Sequence, residues 1–187
     1  MSPHFGIHPT PLPHVKLIER TRLVDSRGYL ERLFCMNDLA EAGWKKPIAQ
    51  INHTYTARRG ILRGLHFQYP PHAEMKLVMC VKGEVFDVAV DLRAGSPAFL
   101  RFHAELLSEH NAKALLIPEG VAHGFQTLAD HVEMLYLHSA PYVEEAEGGI
   151  YPLDPRLAIS WPLEISEMSA RDAKHPKLDA HFGGVLL

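Results

Sequence analysis

The hydrophobic positions of this chain fall into short runs, and glycine or proline separates most of these runs from one another. The chain has 14 prolines and 13 glycines in 187 residues, while stretches with helical periodicity are scarce. The segment VFDVAVDL (85–92) is apolar apart from Asp87 and Asp91, a pattern typical of a strand inside a sandwich or barrel. Regularly spaced strands with turn signals predict an all-β fold, either an antiparallel barrel or a jelly roll.

The same pattern predicts the individual elements. We expect strands in the segments 49–56, 61–68, 76–92, 99–108, 112–118 and 132–142. The segment NDLAEAGW (37–44) predicts a helix with Asn37 as its N-cap and Gly43 near its end, and a second short helix is expected near SARDAKHP. Without a repeat or a linker, we interpret 1–187 as a single domain with a mixed tail from about residue 155. A separately appended tail is the alternative.

Composition and charge narrow the class of partner. The hydrophobic fraction is 47%, and the net charge of −3 provides no basic field for a nucleic acid, so an anionic ligand must be bound by local arginines. No apolar run approaches the ~18–20 residues of a membrane helix. We see no signal peptide, and Cys35 and Cys80 form no CxxC pair, so we expect buried thiols in a cytoplasmic protein.

Two motifs indicate a specific kind of barrel. IPEGVAHGF contains the spacing PxGxxH, in which His123 is the histidine. In GILRGLHFQ, five residues separate Gly60 from His66. Both resemble motifs of the cupin superfamily, whose metal-binding members carry an HxH pair because alternate strand residues share a face. Here the second position of that pair is Gln68, a poor ligand for a transition metal. A metal-dependent dioxygenase or isomerase that uses His66, Glu74 and His123 remains an alternative.

A longer series of motifs is similar to one family within that superfamily. GILRGLHFQ, GEVFDVAVDLR, IPEGVAHGF, ISWP and SARD occur in this order. Together they resemble the dTDP-4-dehydrorhamnose 3,5-epimerase family, and the resemblance covers nearly the whole chain. It implies a cupin-type jelly roll with a few short helices. It also implies a homodimer whose N-terminal segment crosses to the partner subunit.

The resemblance implies an isomerase that acts on a nucleotide-diphosphate 4-keto-6-deoxyhexose, with neither a metal nor another cofactor. The C4 ketone acidifies the hydrogens at C3 and C5, so a base can form an enolate and an acid can return the proton from the opposite face. His66 resembles the family's base and Tyr136 its acid. Lys76 resembles the cation that faces the enolate oxygen, and Asp172 the carboxylate that orients the histidine.

Each of these catalytic roles has an alternative in which the residue is purely structural. Asp172 lies in the capping-box pattern of Ser169-Ala-Arg-Asp172, and Asp87 could orient a histidine instead. Tyr136 could cap the barrel through a bond from its hydroxyl to the backbone. Lys76 could extend its ammonium group to solvent at a strand start. A non-catalytic sugar-nucleotide-binding cupin is the third functional hypothesis.

The substrate-binding residues are implied by the same resemblance. They comprise anion-binding arginines, a polar pair on one strand, a wall histidine and contacts to the nucleotide: Arg27, Arg63 and Arg171; Gln50 and Asn52; His123; Tyr142 and Glu147. Arg63 and His66 are three residues apart, which in a regular strand puts them on opposite faces. A bulge at Gly64 would bring them to one face; otherwise Arg63 reaches a neighbouring subunit.

The sequence departs from the family's common pattern where the nucleotide base is recognised. Arg32 stands in the position of a base-contacting glutamate, with Glu31 one residue early, and Ile51 replaces an acidic or polar residue. The sequence therefore leaves the base open, with cytidine as an alternative to thymidine.

Overall fold

The strands account for most of the regular structure in the computed structural model, which describes residues 4–187. The strands are β1 (Phe5–Pro9), β2 (Lys16–Arg20), β3 (Arg22–Asp25), β4 (Gly28–Glu31), β5 (Gln50–Thr56), β6 (Ile61–Gln68), β7 (Lys76–Lys82), β8 (Glu84–Asp91), β9 (Phe102–Ser108), β10 (Lys113–Ile117), β11 (Val121–Thr127), β12 (Val132–His138), β13 (Glu147–Gly149) and β14 (Glu167–Met168). Helical structure in these residues is limited to α1 (Met36–Leu39) and two 3-10 helices, Glu144–Ala146 and Asp172–Lys174.

Two antiparallel sheets form the body of the protein. The first has the strand order β1-β2-β10-β7-β12-β5, and the second has the order β13-β6-β11-β8-β9, with β14 added in parallel to β6. Val78 and Met134 of the first sheet and Ala89 and Phe125 of the second belong to one buried apolar cluster. The prediction of an all-β, cupin-type jelly roll is confirmed.

The predicted helix at 37–44 is wrong in length and in its cap. Helix α1 is a single turn that begins after Cys35, and no side chain caps it, so Asn37 lies inside the helix. Trp44 is fully buried, and Gly43 has a φ of +107°, a backbone conformation that ends the turn and directs the indole into the core. Burial of one large aromatic residue thus outweighs the helical propensity of the segment.

The C-terminal tail packs on the outer face of the second sheet. Leu157 and Val185 are buried against Val88 and Val90, so this face of the barrel is covered by the chain itself. The interpretation of 1–187 as one domain stays a prediction, and its first three residues lie outside the described part. No helix among residues 4–187 is long and apolar enough to span a membrane.

Candidate active site

A cavity of about 460 Å³ opens between the two sheets. Its walls come from β5, β7 and β12 on one side and from β6, β11 and β13 on the other, and the tail closes one end. Eleven of the twelve predicted site residues line it: Gln50, Asn52, Arg63, His66, Lys76, His123, Tyr136, Tyr142, Glu147, Arg171 and Asp172. The structure therefore brings them together, while the chemical role of each stays a prediction.

His66 and Asp172 form a hydrogen-bonded pair in this cavity. Nε2 of His66 lies 2.8 Å from Oδ1 of Asp172, and Oδ2 accepts a second bond, 3.1 Å long, from the backbone N–H of Gly64. An ionised carboxylate only accepts hydrogen bonds, so this contact assigns the imidazole hydrogen to Nε2. Nδ1 is left with a lone pair and has no hydrogen-bond partner in the described part of the chain. His66 can therefore take up a proton at Nδ1.

The environment keeps the Asp172 carboxylate ionised. Its side chain is 3% exposed, and burial alone would raise its pKa. The hydrogen bond from His66, with smaller contributions from Gly64 and Ser169, outweighs burial and lowers the pKa to about 2. The negative charge of Asp172 therefore remains in place at neutral pH.

One of the two hydrogen bonds of the predicted capping box at Asp172 is present. The Asp172 N–H donates to Oγ of Ser169 at 3.0 Å, which is the first bond of a capping box. The carboxylate is directed towards His66 and Gly64 instead of back to the cap. The backbone of Asp172 thus takes part in the turn, and its side chain supports His66.

A bulge at Gly64 brings Arg63 into the same cavity as His66, which is one of the two alternatives that the spacing left open. His123 of β11 faces His66 and Phe125 faces Arg63, so β6 has one residue more than its neighbour in this interval. Gly64 has a φ of +123°, and a Cβ on it would lie 2.6 Å from Cα of Gly124. Only glycine fits this close approach of two strands.

His123 forms a second histidine–carboxylate pair, with Asp87. Nε2 of His123 lies 2.8 Å from Oδ2 of Asp87, and both side chains are buried. Asp87 therefore orients His123, while Asp172 orients His66. The His123 ring meets the Tyr136 ring edge to face, with centroids 5.8 Å apart. His123 thus packs against Tyr136 in the wall of the cavity.

Tyr136 lies on the sheet opposite His66. It belongs to β12, where it pairs with Asn52 of β5 and Val78 of β7, whereas His66 belongs to β6 of the other sheet. The alternative role of Tyr136 was a barrel cap whose hydroxyl is bonded to the backbone. Among residues 4–187 no backbone group is hydrogen-bonded to this hydroxyl. Burial raises the pKa of the Tyr136 phenol, so the group stays protonated at neutral pH and can act as a proton donor.

Lys76 is held inside the cavity. Its ammonium group lies 3.0 Å from Oε1 of Glu74 and donates to the carbonyl of His66 at 3.1 Å. The Lys76 side chain is only 8% exposed, so it does not extend to solvent. Gln68 donates to Oε2 of Glu74 at 2.9 Å and thereby fixes the carboxylate that pairs with Lys76. Gln68 supports this ion pair, a role that the HxH comparison did not predict.

The alternative metal set does not fit the structure. Glu74 is ion-paired with Lys76, and His123 is bonded to Asp87 through Nε2, so two of the three proposed ligands are already engaged. Within residues 4–187, the histidine, cysteine and carboxylate atoms that lie close enough to share an ion belong to His66, Asp172 and His175.

The mouth of the cavity carries cations and other polar groups. Arg171 pairs with Glu147 at 3.0 Å, and Tyr142 donates its hydroxyl hydrogen to the same carboxylate at 3.1 Å. Arg63 donates to Thr56 at 3.0 Å, and its side chain is exposed at the cavity wall. Gln50 donates to Asn52 at 3.0 Å and accepts from the backbone of Tyr142 at 2.9 Å.

Arg27 is the predicted site residue that the structure places elsewhere. It lies in the turn between β3 and β4, its side chain is 87% exposed, and it pairs with Asp25 at 2.6 Å. The early glutamate, Glu31, is engaged by Arg20 and Arg22 at 3.3 and 3.1 Å. Neither residue contributes to the cavity of its own chain.

Two histidines near His66 were not predicted from the sequence, one that lines the cavity and one that lies beside it. His138 lines the cavity, and burial together with the nearby Lys76 charge lowers its pKa to about 4. It follows Tyr136 by two residues on β12, so strand periodicity could have identified it. His175 follows the Asp172 turn, and its ring lies edge to face with that of His66, with centroids 5.3 Å apart. Burial lowers its pKa, and no spacing in the sequence points to it.

Comparison with known proteins identifies relatives of the whole fold. The family model for dTDP-4-dehydrorhamnose 3,5-epimerase matches residues 9–180. The Salmonella typhimurium dTDP-4-dehydrorhamnose 3,5-epimerase is 41% identical over 172 residues, which cover 91% of this chain and 93% of that protein. A dTDP-4-dehydrorhamnose 3-epimerase of Streptomyces niveus is 37% identical and covers 89% of this chain and 80% of that protein.

A solved structure extends this similarity to the backbone. The Legionella pneumophila dTDP-6-deoxy-D-glucose-3,5-epimerase, crystallised with dTDP-4-keto-L-rhamnose, superposes with a TM-score of 0.90. It is 36% identical in sequence, and the match covers 97% of this chain and 98% of that one.

Proposed function

This chain belongs to the dTDP-4-dehydrorhamnose 3,5-epimerase family, and we propose that it epimerises a dTDP-4-keto-6-deoxyhexose at C3 and C5. The observation that carries the proposal is the placement of an oriented imidazole, His66, and a protonated phenol, Tyr136, on facing sheets of one cavity. A sugar ring between them presents one face to the base and the other to the acid. This arrangement suits inversion better than a non-catalytic binding site.

The proposed reaction begins with His66. Asp172 holds Nε2–H, so Nδ1 removes the hydrogen α to the C4 ketone and the imidazole becomes a cation stabilised by the carboxylate. The electron pair of the broken C–H bond moves onto the ketone oxygen and gives an enolate. Lys76 is a cation of the cavity that can stabilise this oxygen, because its ammonium group is fixed inside by Glu74.

Tyr136 completes each inversion from the opposite side. Its hydroxyl gives a proton to the enolate carbon, the ketone re-forms and the configuration of that carbon changes. The phenolate and the imidazolium then return to their starting forms by proton exchange with water. The reaction consumes no electrons, so it needs no redox cofactor, and Lys76 supplies the positive charge that the enolate oxygen requires.

The cations at the mouth suit the diphosphate of the substrate. Arg63 and Arg171 can offer parallel N–H donors to phosphate oxygens, and Tyr142, half exposed, can stack on a base. We assign thymidine because the named relatives act on dTDP-sugars. Binding of dTDP, dCDP, UDP and GDP, measured by calorimetry, tests the assignment. Tightest binding of dTDP supports it, and tighter binding of another nucleotide overturns it without affecting the proposed chemistry.

We also propose a homodimer in which Arg27 serves the partner's cavity. The β3–β4 hairpin exposes Leu23, Val24, Tyr29 and Leu30 at 55, 75, 56 and 70%, a large apolar surface for a hairpin. In a dimer that buries this surface, the Arg27 guanidinium would extend from its own chain towards the second copy. Sedimentation should give a dimer, and a monomer at assay concentration would contradict the proposal.

A cytoplasmic location accompanies this proposal. Cys35 and Cys80 are both free thiols, and Cys80 is fully buried. Free thiols are typical of proteins that stay in a reducing compartment.

The test of the function is direct. The purified protein is incubated with dTDP-4-keto-6-deoxy-D-glucose, and NMR reads the configuration of C3 and C5 separately. Inversion of both centres supports the proposal. Inversion of C3 alone would group the chain with the 3-epimerases, and recovery of unchanged sugar with bound nucleotide would support the non-catalytic hypothesis.

A further inference from the structure

His175 completes a cluster of metal-ligating atoms around the proposed base. Nε2 of His175 lies 3.7 Å from Oδ1 of Asp172, the same oxygen that lies 2.8 Å from Nε2 of His66. One ligand atom from each of the three residues lies within 4.8 Å of the others. The cavity reaches this cluster through His66, whose side chain is 24% exposed.

The ring of His175 is held in place by packing, yet its Nε2 makes no hydrogen bond among the described residues. Its Nε2 is buried and has no hydrogen-bond partner in the structure, although its side chain is 12% exposed overall. The ring packs directly on Gly149, where a Cβ would lie 2.1 Å from it. Burial of an imidazole nitrogen without a hydrogen-bond partner costs free energy. Because Nε2 of His175 is directed towards Asp172, a ligand bound between the two residues would remove this cost.

The donor set suits one class of ion. Two imidazole nitrogens and one carboxylate oxygen are a common protein ligand set for Zn²⁺, with a fourth position left for water. A tetrahedral site with bonds of about 2.0–2.1 Å separates its ligand atoms by roughly 3.4 Å. The present separations bracket this value, so small side-chain rotations would form the site. The guanidinium of Arg171 lies 3.4 Å from Nε2 of His66 and would have to move, which its exposed side chain permits.

We propose that His66, Asp172 and His175 form an inhibitory site for Zn²⁺ and related divalent transition metals. A metal bound to Nε2 of His66 displaces the hydrogen from that nitrogen, and the neutral ring then carries its hydrogen on Nδ1. The lone pair that would accept the substrate proton is lost, and Asp172 is diverted to the metal. The inhibition rests on the proposed function, whereas the metal binding does not.

The test combines inhibition with direct binding. Zn²⁺ at micromolar concentration should inhibit the wild type, and a chelator should restore activity. His175→Ala should keep the basal activity but need roughly 10- to 100-fold more Zn²⁺ for half inhibition, since loss of a ligand costs at least as much as loss of its supporting partner. His175→Gln keeps a side chain of similar size, and His181→Ala removes an exposed histidine outside the cluster.

Calorimetry with ZnCl₂ and no substrate separates this proposal from the proposed function. One Zn²⁺ should bind per wild-type chain, and this binding should weaken in both His175 variants and in His66→Asn, but not in His181→Ala. Equal Zn²⁺ inhibition of the wild type and the His175 variants, or unchanged calorimetric affinity, would overturn the proposal. An enzyme that shows no epimerisation but loses Zn²⁺ binding with His175 would overturn the proposed function alone.

Discussion

The carboxylate of Asp172 lies 2.8 Å from Nε2 of His66, although 106 positions separate the two residues in the chain. The strand β6 provides the imidazole, and a 3-10 turn in the tail provides the carboxylate. The tail is therefore part of the cavity as well as a cover for the outer face of the second sheet. This relationship determines which imidazole nitrogen is free to act as a base.

Replacement of His66 tests the base. In His66→Asn the side chain remains polar but has no titratable nitrogen, so exchange of the C3 and C5 hydrogens with deuterated water should fall by about 10²–10⁴-fold. NMR of the recovered sugar measures the exchange. His53→Asn, on the exposed outer side of β5, is the matched control and should exchange at the wild-type rate. Unchanged exchange in His66→Asn would assign the base to another group.

Replacement of Asp172 separates its two structural roles. Asp172→Asn keeps the shape and the backbone bond to Ser169 but removes the charge that stabilises the imidazolium. We expect kcat to fall by about 10-fold or more, as part of the ~10²–10⁴-fold contribution of general-base catalysis. Ser169→Ala removes the cap hydroxyl and leaves the carboxylate, so its kcat should fall far less. Equal losses in the two variants would indicate that the cap is the main role of this turn.

His138 should make the stability of the fold depend on pH. Its folded pKa of about 4 lies below the ordinary value of 6.5, so the unfolded state binds more protons between these values. The contribution of His138 to stability is therefore complete above pH 6.5 and is lost as the pH falls towards 4. The loss amounts to about 3 kcal/mol, at 1.36 kcal/mol per unit.

Urea unfolding of the wild type and His138→Gln at pH 7 and pH 4.5 measures this difference. Glutamine does not titrate, and every other acid-sensitive group is shared, so the wild type should lose more unfolding free energy than His138→Gln as the pH falls. Parallel pH dependence in the two proteins would show that His138 titrates at its ordinary pKa when folded.

The structure predicts metal-independent catalysis. Glu74 and His123 are engaged with Lys76 and Asp87, so they are not free to bind a catalytic ion. Treatment with a chelator should leave epimerisation intact, and activity should rise where traces of Zn²⁺ were present. Loss of activity on chelation, with recovery on addition of iron, zinc or manganese, would contradict this prediction.

Strand patterns and turn residues predicted much of the fold, whereas the residues of the cavity were predicted from the resemblance to the epimerase family. Strand β6 is predicted with its observed bounds, and the bulge at Gly64 is one of the two alternatives that the distance of three between Arg63 and His66 leaves open. The pairing of Asp87 with His123 rather than His66 follows from strand order, which one sequence does not specify. His175 is brought to His66 by the path of the tail, and no local pattern encodes that path. Helix α1 is shorter than predicted because Trp44 is buried.

The deuterium content and configuration of sugar recovered from Tyr136→Phe show whether His66 and Tyr136 act from opposite walls of the cavity. If they do, loss of the phenol hydroxyl should remove inversion but leave enolate formation. We expect a sugar that gains deuterium at C3 and C5 while keeping its original configuration, because His66 returns a solvent-derived proton to the face it deprotonated. Inversion of both centres by Tyr136→Phe at the wild-type rate would mean that Tyr136 is not the acid.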